Sequence, residues 1–333
     1  MKHTPAYIFL VPVSFAMSAS AKFVENTDIT SYVNTLIEQN KVVTIPDGNY
    51  KVSATKSIQL KNNTTLKLSP NTVLTVIPNS SDSYRVFRIK NIKNVTLSGG
   101  KIVGDKYTHL GKKGEWGMGV EIRDSQNINI SNMSIDRMWG DAIYIGTTGK
   151  NTTYNINLNN ITMNDNRRQG ITINSIDTLN ANNLSISNTG GTDPANGIDI
   201  EPNNNSTILK NININRLRTF NNKGVGFQVS LTKYNGSSEP ISISLNDHID
   251  NGSNFGFVIN GAISPISGRI DLSRLNYKNN KFANFCFNQW NNNIEVNIDS
   301  LSHDKRVKIT KTSWCQEYIS NRFIKLQKVL INP

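Results

Sequence analysis

The chain can be laid on itself. Ile89-Lys90-Asn91-Ile92-Lys93-Asn94-Val95-Thr96-Leu97-Ser98 matches Ile122-Arg123-Asp124-Ser125-Gln126-Asn127-Ile128-Asn129-Ile130-Ser131 without a gap. Downstream, a small residue followed by an apolar one opens a short run at Gly119-Val120, Ala142-Ile143, Gly170-Ile171, Gly197-Ile198, Gly224-Val225 and Gly256-Phe257, at intervals of 23, 28, 27, 27 and 32 residues. Short alternating runs at this period indicate a solenoid, in which each coil buries its apolar side only by stacking on the next. No repeat holds a helical apolar period, which excludes helical solenoids, and the Leu and Asn spacing of leucine-rich repeats is absent. Short strands with Gly or Asn at the corners fit an all-β chain whose parallel sheets coil around a narrow core. Asn127, Asn155, Asn182 and Asn183 then fall at corners, where they serve as turn residues or stack from rung to rung.

A chain of 333 residues with 37% hydrophobic content and abundant Asn, Ser, Thr and Gly suits a β-rich fold and disfavours a helical bundle. Ile29, Val33, Leu36 and Ile37 share one helical face, with Thr27 or Asp28 as N-cap. A single helix over about residues 27–40, followed by the strand-like Val42 to Val52, reads as the cap over the open end of the stack. The period fades after residue 290, and 291–333 reads as the opposite cap, with Phe323 to Leu330 alternating weakly. Residues 104–117 and 231–240 are too polar for core strands and read as loops thrown out from a coil, the usual wall of a binding site.

Residues 1–21 have the pattern of a signal peptide: Lys2, an apolar run from Ala6 to Met17, and the small-residue site Ala19-Ser20-Ala21. The run is too short to span a bilayer and contains Pro12, so 22–333 is expected as an exported domain, secreted or periplasmic, with no membrane span. The formal charge of +12 implies an acidic partner, and outside the cytoplasm an acidic polysaccharide fits better than nucleic acid. The two cysteines, Cys286 and Cys315, are expected to form a disulfide in an oxidising compartment, since a metal site needs more ligands.

With Val120, Ile143, Ile171, Ile198, Val225, Phe257 and Phe285 in one buried column, the adjacent outward column holds Glu121, Tyr144, Thr172, Asp199, Gly226, Val258 and Cys286. The next outward column holds Arg123, Gly146, Asn174, Glu201, Gln228, Asn260 and Asn288. Asp199 and Glu201, two apart on one strand, stand roughly 6.5 to 7 Å apart at Cα, while Asp141 falls roughly 14 Å from Asp199. Paired carboxylates suit glycoside hydrolysis, and their separation leaves room for a water, as in an inverting mechanism. The expected catalytic set is therefore Asp199 and Glu201, with Asp141 assisting. Arg167 and Arg168 would hold a substrate carboxylate. His109, Glu115 and Trp116 in the loop, with Tyr144, Asn174 and Gln228 on the strands, complete the expected substrate contacts.

Val42 to Val52, Gly114-Glu115-Trp116-Gly117, Trp139-Gly140-Asp141-Ala142-Ile143-Tyr144, Asn166-Arg167-Arg168-Gln169-Gly170 and Gly197 to Pro202 together resemble the right-handed parallel β-helix proteins of the pectate-lyase-like superfamily, over about residues 40–290. The resemblance implies a single-stranded right-handed β-helix among polysaccharide hydrolases, lyases and phage depolymerases. The polygalacturonase motif set is absent as a whole: Gly140-Asp141 and Asp199-Ile200-Glu201 depart from it. No cofactor is expected, except calcium if the protein is a lyase. Glycosidic hydrolysis is the favoured expectation and β-elimination the runner-up; a reading of a different class is non-catalytic polysaccharide binding or capsule assembly.

Overall fold

The structure, a computed structural model, describes residues 23–234, 238–261, 265–288 and 294–303 and the backbone of 324–326 and 329–331. Every strand pairing it describes is parallel. A nine-stranded sheet climbs from Ile58–Gln59 to Ala283–Asn288, and a sixteen-stranded sheet wraps the other sides of the stack. The second sheet turns corners because its long strands bend. Gln126–Asp136 pairs with both Lys93–Ser98 and Lys101–Val103 of the coil before it. The result is a right-handed parallel β-helix, as the resemblance implied.

The bends sit where asparagine adopts the left-handed backbone region that most L-residues avoid. Asn63, Asn94, Asn127 and Asn155 have φ between 53° and 59°. Their side-chain amides form a ladder: each Nδ2 donates to the Oδ1 one rung below, at 2.8, 3.0 and 2.9 Å. A second ladder joins Asn132, Asn160 and Asn183, and a third joins Asn182, Asn215 and Asn246. The Asn-rich corners therefore both turn the chain and fix the register of neighbouring coils.

The core is one long apolar column. Val120, Ile143, Ile171, Ile198, Phe227 and Phe257 are all at most 1% exposed. The helix Thr30–Gln39 closes one end by laying Val33 and Ile37 on the first coil. The N-cap is Ile29, not Thr27 or Asp28, and it offers no side-chain cap; Asp28 Oδ1, one residue earlier, accepts the Thr30 N–H at 2.9 Å and satisfies one orphan donor of the first turn.

One column is corrected. Ile198 pairs with Phe227, not Val225, and Phe227 with Phe257, so Asp199 stands beside Gln228 rather than Gly226. The sequence Gly224-Val225-Gly226-Phe227 offers two Gly-apolar starts two residues apart. A slip of two keeps every inward residue inward, so alternation alone cannot separate them. Both glycines are tightly enclosed: a side chain at Gly224 would strike Pro194 and Asn196, and one at Gly226 would strike Thr219 and Asp250.

The expected signal peptide (1–21), Cys315 and most of the C-terminal cap lie outside the described residues. Within that cap, the strands Ile324–Leu326 and Val329–Ile331 pair with Ile294–Ile298 and Leu301–His303. Among the described residues no helix is long and apolar enough to cross a membrane.

Candidate functional site

The outward column of the nine-stranded sheet runs, in register, through Arg88, Glu121, Tyr144, Thr172, Asp199, Gln228 and Val258. Alternation turns these side chains away from the core, yet Glu121, Thr172 and Asp199 are all buried. The loop between Lys101–Val103 and Trp116–Arg123 packs beside this column, against Tyr84, Trp139 and Arg167. Tyr84 donates to Asp105, His109 Nδ1 lies 2.8 Å from the same carboxylate, and the His109 ring stacks on Trp139 at 4.0 Å. Arg167 covers the other side of Trp139 at 3.9 Å and donates to Gly114 O at 3.0 Å. Gly140 admits the loop backbone, since a side chain there would overlap the Glu115 carbonyl.

These contacts place Glu115 and Trp116 on the wall of a cavity of about 580 Å³. Arg168, Thr172, Asn174 and Glu201 form part of the same wall, and Arg85 and Arg123, with Tyr144, another part. Arg168 is the electrostatic centre: its guanidinium lies 3.3 Å from Asp141 and 3.7 Å from Glu115, and it also feels the charge of Asp199. Asp141 is fully buried and accepts the Thr172 hydroxyl at 2.8 Å. Burial pushes its carboxyl up to about 6, against the pull of Arg168 and Thr172. Asp199 accepts Gln169 Nε2 on one oxygen at 2.8 Å and Gln228 Nε2 on the other at 3.2 Å. Burial first, and then the charge of Glu201, raise Asp199 to about 7.

The expected site residues are thus gathered, with their positions revised. Asp199 and Glu201 are neighbours, but Asp199 is covered and only Glu201 reaches the cavity. Asp141 is linked to the row of Asp199 through its side chain, which accepts from Thr172, the rung neighbour of Asp199. Arg168 belongs to the cavity, while Arg167 braces the loop through Trp139. The His109 side chain is fully buried, turned inward from the loop onto Trp139, and does not line the cavity. Trp116 is 47% exposed on the cavity wall, and Tyr144, 7% exposed, is stacked under Arg123 at 4.1 Å. Gln228 holds Asp199. Cys286 is buried beside Val225 and Val258.

Sequence reasoning missed Arg85 and Arg88. Arg88 pairs in register with Glu121, one residue before the Ile89 to Ile122 match found by self-alignment. Extending that match by a single position would have placed Arg88 beneath Glu121. Among the described residues no group of three or more His, Cys, Asp or Glu could hold a metal ion.

No family model matches the chain. Among curated proteins, two from Bacillus subtilis (strain 168) are similar. Uncharacterized protein YclG is 27% identical over 293 residues, 80% of this chain and 49% of that protein. SPbeta prophage-derived uncharacterized protein YorA is 28% identical over 188 residues, 48% of this chain and 32% of that protein. The chain therefore spans half or less of the curated relatives it matches. Among solved structures, the fold is shared with the endo-xylogalacturonan hydrolase from Aspergillus tubingensis at TM-score 0.64 and 11% identity, covering 91% of this chain and 88% of that one. It is also shared with the tailspike gp49 of Acinetobacter baumannii bacteriophage Fri1, a capsular polysaccharide depolymerase, at TM-score 0.60 and 11% identity, over 93% and 55%. At these identities the likeness establishes the fold.

Proposed function

We propose that the protein is an exported enzyme that hydrolyses glycosidic bonds of an acidic polysaccharide lying in this cavity. The observation that carries the reading is that two carboxylates, Glu201 and Glu115, line one cavity, with Asp199 buried behind Glu201. The presence of the same fold in a xylogalacturonan hydrolase and a capsule depolymerase supports the polymer class. Glycoside hydrolysis needs one carboxyl group to protonate the leaving oxygen and another to activate water or attack the sugar. In this reading Glu201 meets the substrate and Glu115, on the same wall and 3.7 Å from Arg168, is the second carboxylate. Asp199 and Asp141 do not touch substrate; they set the field around Glu201 and Arg168. Trp116 offers a flat apolar face to a sugar ring, and Asn174 and Asn203 offer amides to its hydroxyls.

Asp199 retains its proton up to about pH 7, so below that value the pair it forms with Glu201 avoids carrying two charges side by side. Hydrolysis that depends on this state loses rate as pH rises through about 7.

The test is a reducing-end assay against a panel of acidic polysaccharides, with ultraviolet absorbance followed in parallel. New reducing ends without absorbance support hydrolysis. Absorbing unsaturated products would show elimination instead, and glycan binding with no new ends from any polymer would make this a binding protein.

A further inference from the structure

Away from Glu201, two arginines of the cavity wall, Arg85 and Arg123, belong to an unbalanced charge cluster. Glu121 is 1% exposed and is approached by three guanidinium groups: Arg123 Nε at 2.8 Å, Arg85 Nε at 2.9 Å and Arg88 Nε at 3.6 Å. Burial pushes the Glu121 carboxyl up, but its bonds to Arg123 and Arg85 outweigh that and hold it below the usual range. One carboxylate offers about four acceptor sites, while three guanidiniums carry about fifteen N–H donors. Neighbouring groups take few of the remainder: Arg85 Nη1 donates to Ser83 Oγ at 2.9 Å, and Arg123 Nη1 to Thr147 O at 3.4 Å. The cluster therefore keeps a surplus of two positive charges and many directed donors. Arg85 and Arg123 line the cavity together with Trp116 and Tyr144.

We propose that Arg85, Arg88 and Arg123 form a subsite for an anionic substituent of the glycan, a carboxylate or a sulfate, with Trp116 flanking it as the face for the sugar ring. Both groups accept two parallel N–H bonds from a guanidinium, which a point charge such as lysine does not match. Glu121 acts as the positioning residue, keeping Arg85 and Arg123 aimed without cancelling them. Its row lies three rungs before that of Asp199, about 14 Å along the stack at the usual strand spacing. The charged sugar is thus bound more than one ring away from the bond at Glu201. This inference rests on the polysaccharide reading above, but it concerns recognition and not chemistry.

Binding is therefore measured apart from cleavage, by titrating oligosaccharides of a uronan, a sulfated glycan and a neutral glucan into wild type, Arg88→Gln, Arg85→Gln and Lys61→Gln, each with and without Glu201→Gln. Lys61 is an exposed basic residue on another part of the stack, paired with Glu38. The subsite predicts that one or both anionic oligosaccharides bind better than the glucan. It also predicts that Arg88→Gln and Arg85→Gln each weaken that binding about tenfold, the loss expected for charge-assisted bonds, while Lys61→Gln does not. Which anionic polymer is retained identifies the group. Equal binding of all three glycans, or unchanged anionic binding in both arginine variants, would overturn it. If Arg85→Gln fails to fold, Arg88→Gln carries the test alone, since the Arg88 side chain is 40% exposed. Anionic binding that follows the arginines with no cleavage of any polymer would sink the hydrolase reading and leave the subsite standing.

Discussion

Asp199 is held by one amide on each oxygen, and both bonds favour its ionised form while burial opposes it. Removing one amide therefore has a predictable sign. Gln228→Ala takes away a bond that lowers the Asp199 pKa, so the alkaline limb of the pH–activity profile should move above its wild-type position near 7. Asp199→Asn should abolish that limb. Glu201→Gln removes the group that meets the substrate and should lower kcat at least about 100-fold with an unchanged unfolding midpoint, as expected for loss of a general acid or base. Full activity of Glu201→Gln would show that the chemistry lies elsewhere. The importance of Gln228 could not be read from alternation: its place beside Asp199 depends on the two-residue slip at Gly224 to Phe227, which preserves every inward and outward assignment. The burial of Asp199 was equally hidden. A strand pattern tells which way a side chain points but not what later packs over it.

At the scale of elements, the ladders and the covering loop carry the most testable structure. Asn127 donates to Asn94 and accepts from Asn155 with φ at 56°. Asn127→Ala loses both bonds in a backbone region that alanine disfavours and should lower stability by about 1–2 kcal/mol. Asn127→Gly, which loses the bonds but accepts the φ, should cost less. Denaturant titration of the pair separates the two contributions; equal losses would mean that the backbone conformation contributes nothing. The solenoid, its capping helix and its Asn corners were legible because each rests on local chemistry repeated many times. The loop over residues 104–115 was legible as an inserted wall, but its own packing was not. Its polar composition suggested solvent contact, yet the Asp105 and His109 side chains are buried because they pair with each other and the His109 ring stacks on Trp139. A pairing between a loop and two other coils leaves no periodic trace. His109→Ala should release the loop, seen as faster proteolysis within 104–115 and a raised KM through displaced Glu115 and Trp116.

For the molecule as a whole, buried titratable groups set how stability follows pH. Asp141 and Asp250 are raised to about 6 and Asp199 to about 7, burial being the first cause in each. Their unfolded values lie near 3.8, so from about pH 4 to 7 the folded state keeps protons that the unfolded chain has lost. Stability falls across that window as pH rises. His248, buried and pushed down to about 3, acts oppositely: its contribution is lost as pH falls below the usual value of 6.5. Three carboxyls against one imidazole leave a net decline from about pH 4 to 7. Asp250, which accepts from Thr219, Ser253 and Asn280, lies on the core side of the wall, away from the cavity. Asp250→Asn should therefore flatten the midpoint-against-pH curve between about 4 and 6 without altering the pH dependence of activity. A curve with the wild-type slope would refute this.

The parallel register has a further consequence. Each coil contributes one residue to the column running from Arg88 to Gln228, so the separation between the arginines and Glu201 changes only in whole coils. The stack behaves as a ruler graduated in steps of about 4.8 Å. Inserting one coil between those that carry Glu121 and Tyr144, from one asparagine corner to its equivalent on the next rung, would lengthen the ruler by one graduation without removing a residue of the arginine cluster or of the row around Glu201. Within the proposed reading, such a protein would cut at a different distance from the charged sugar, and the change would appear as a shift in product length.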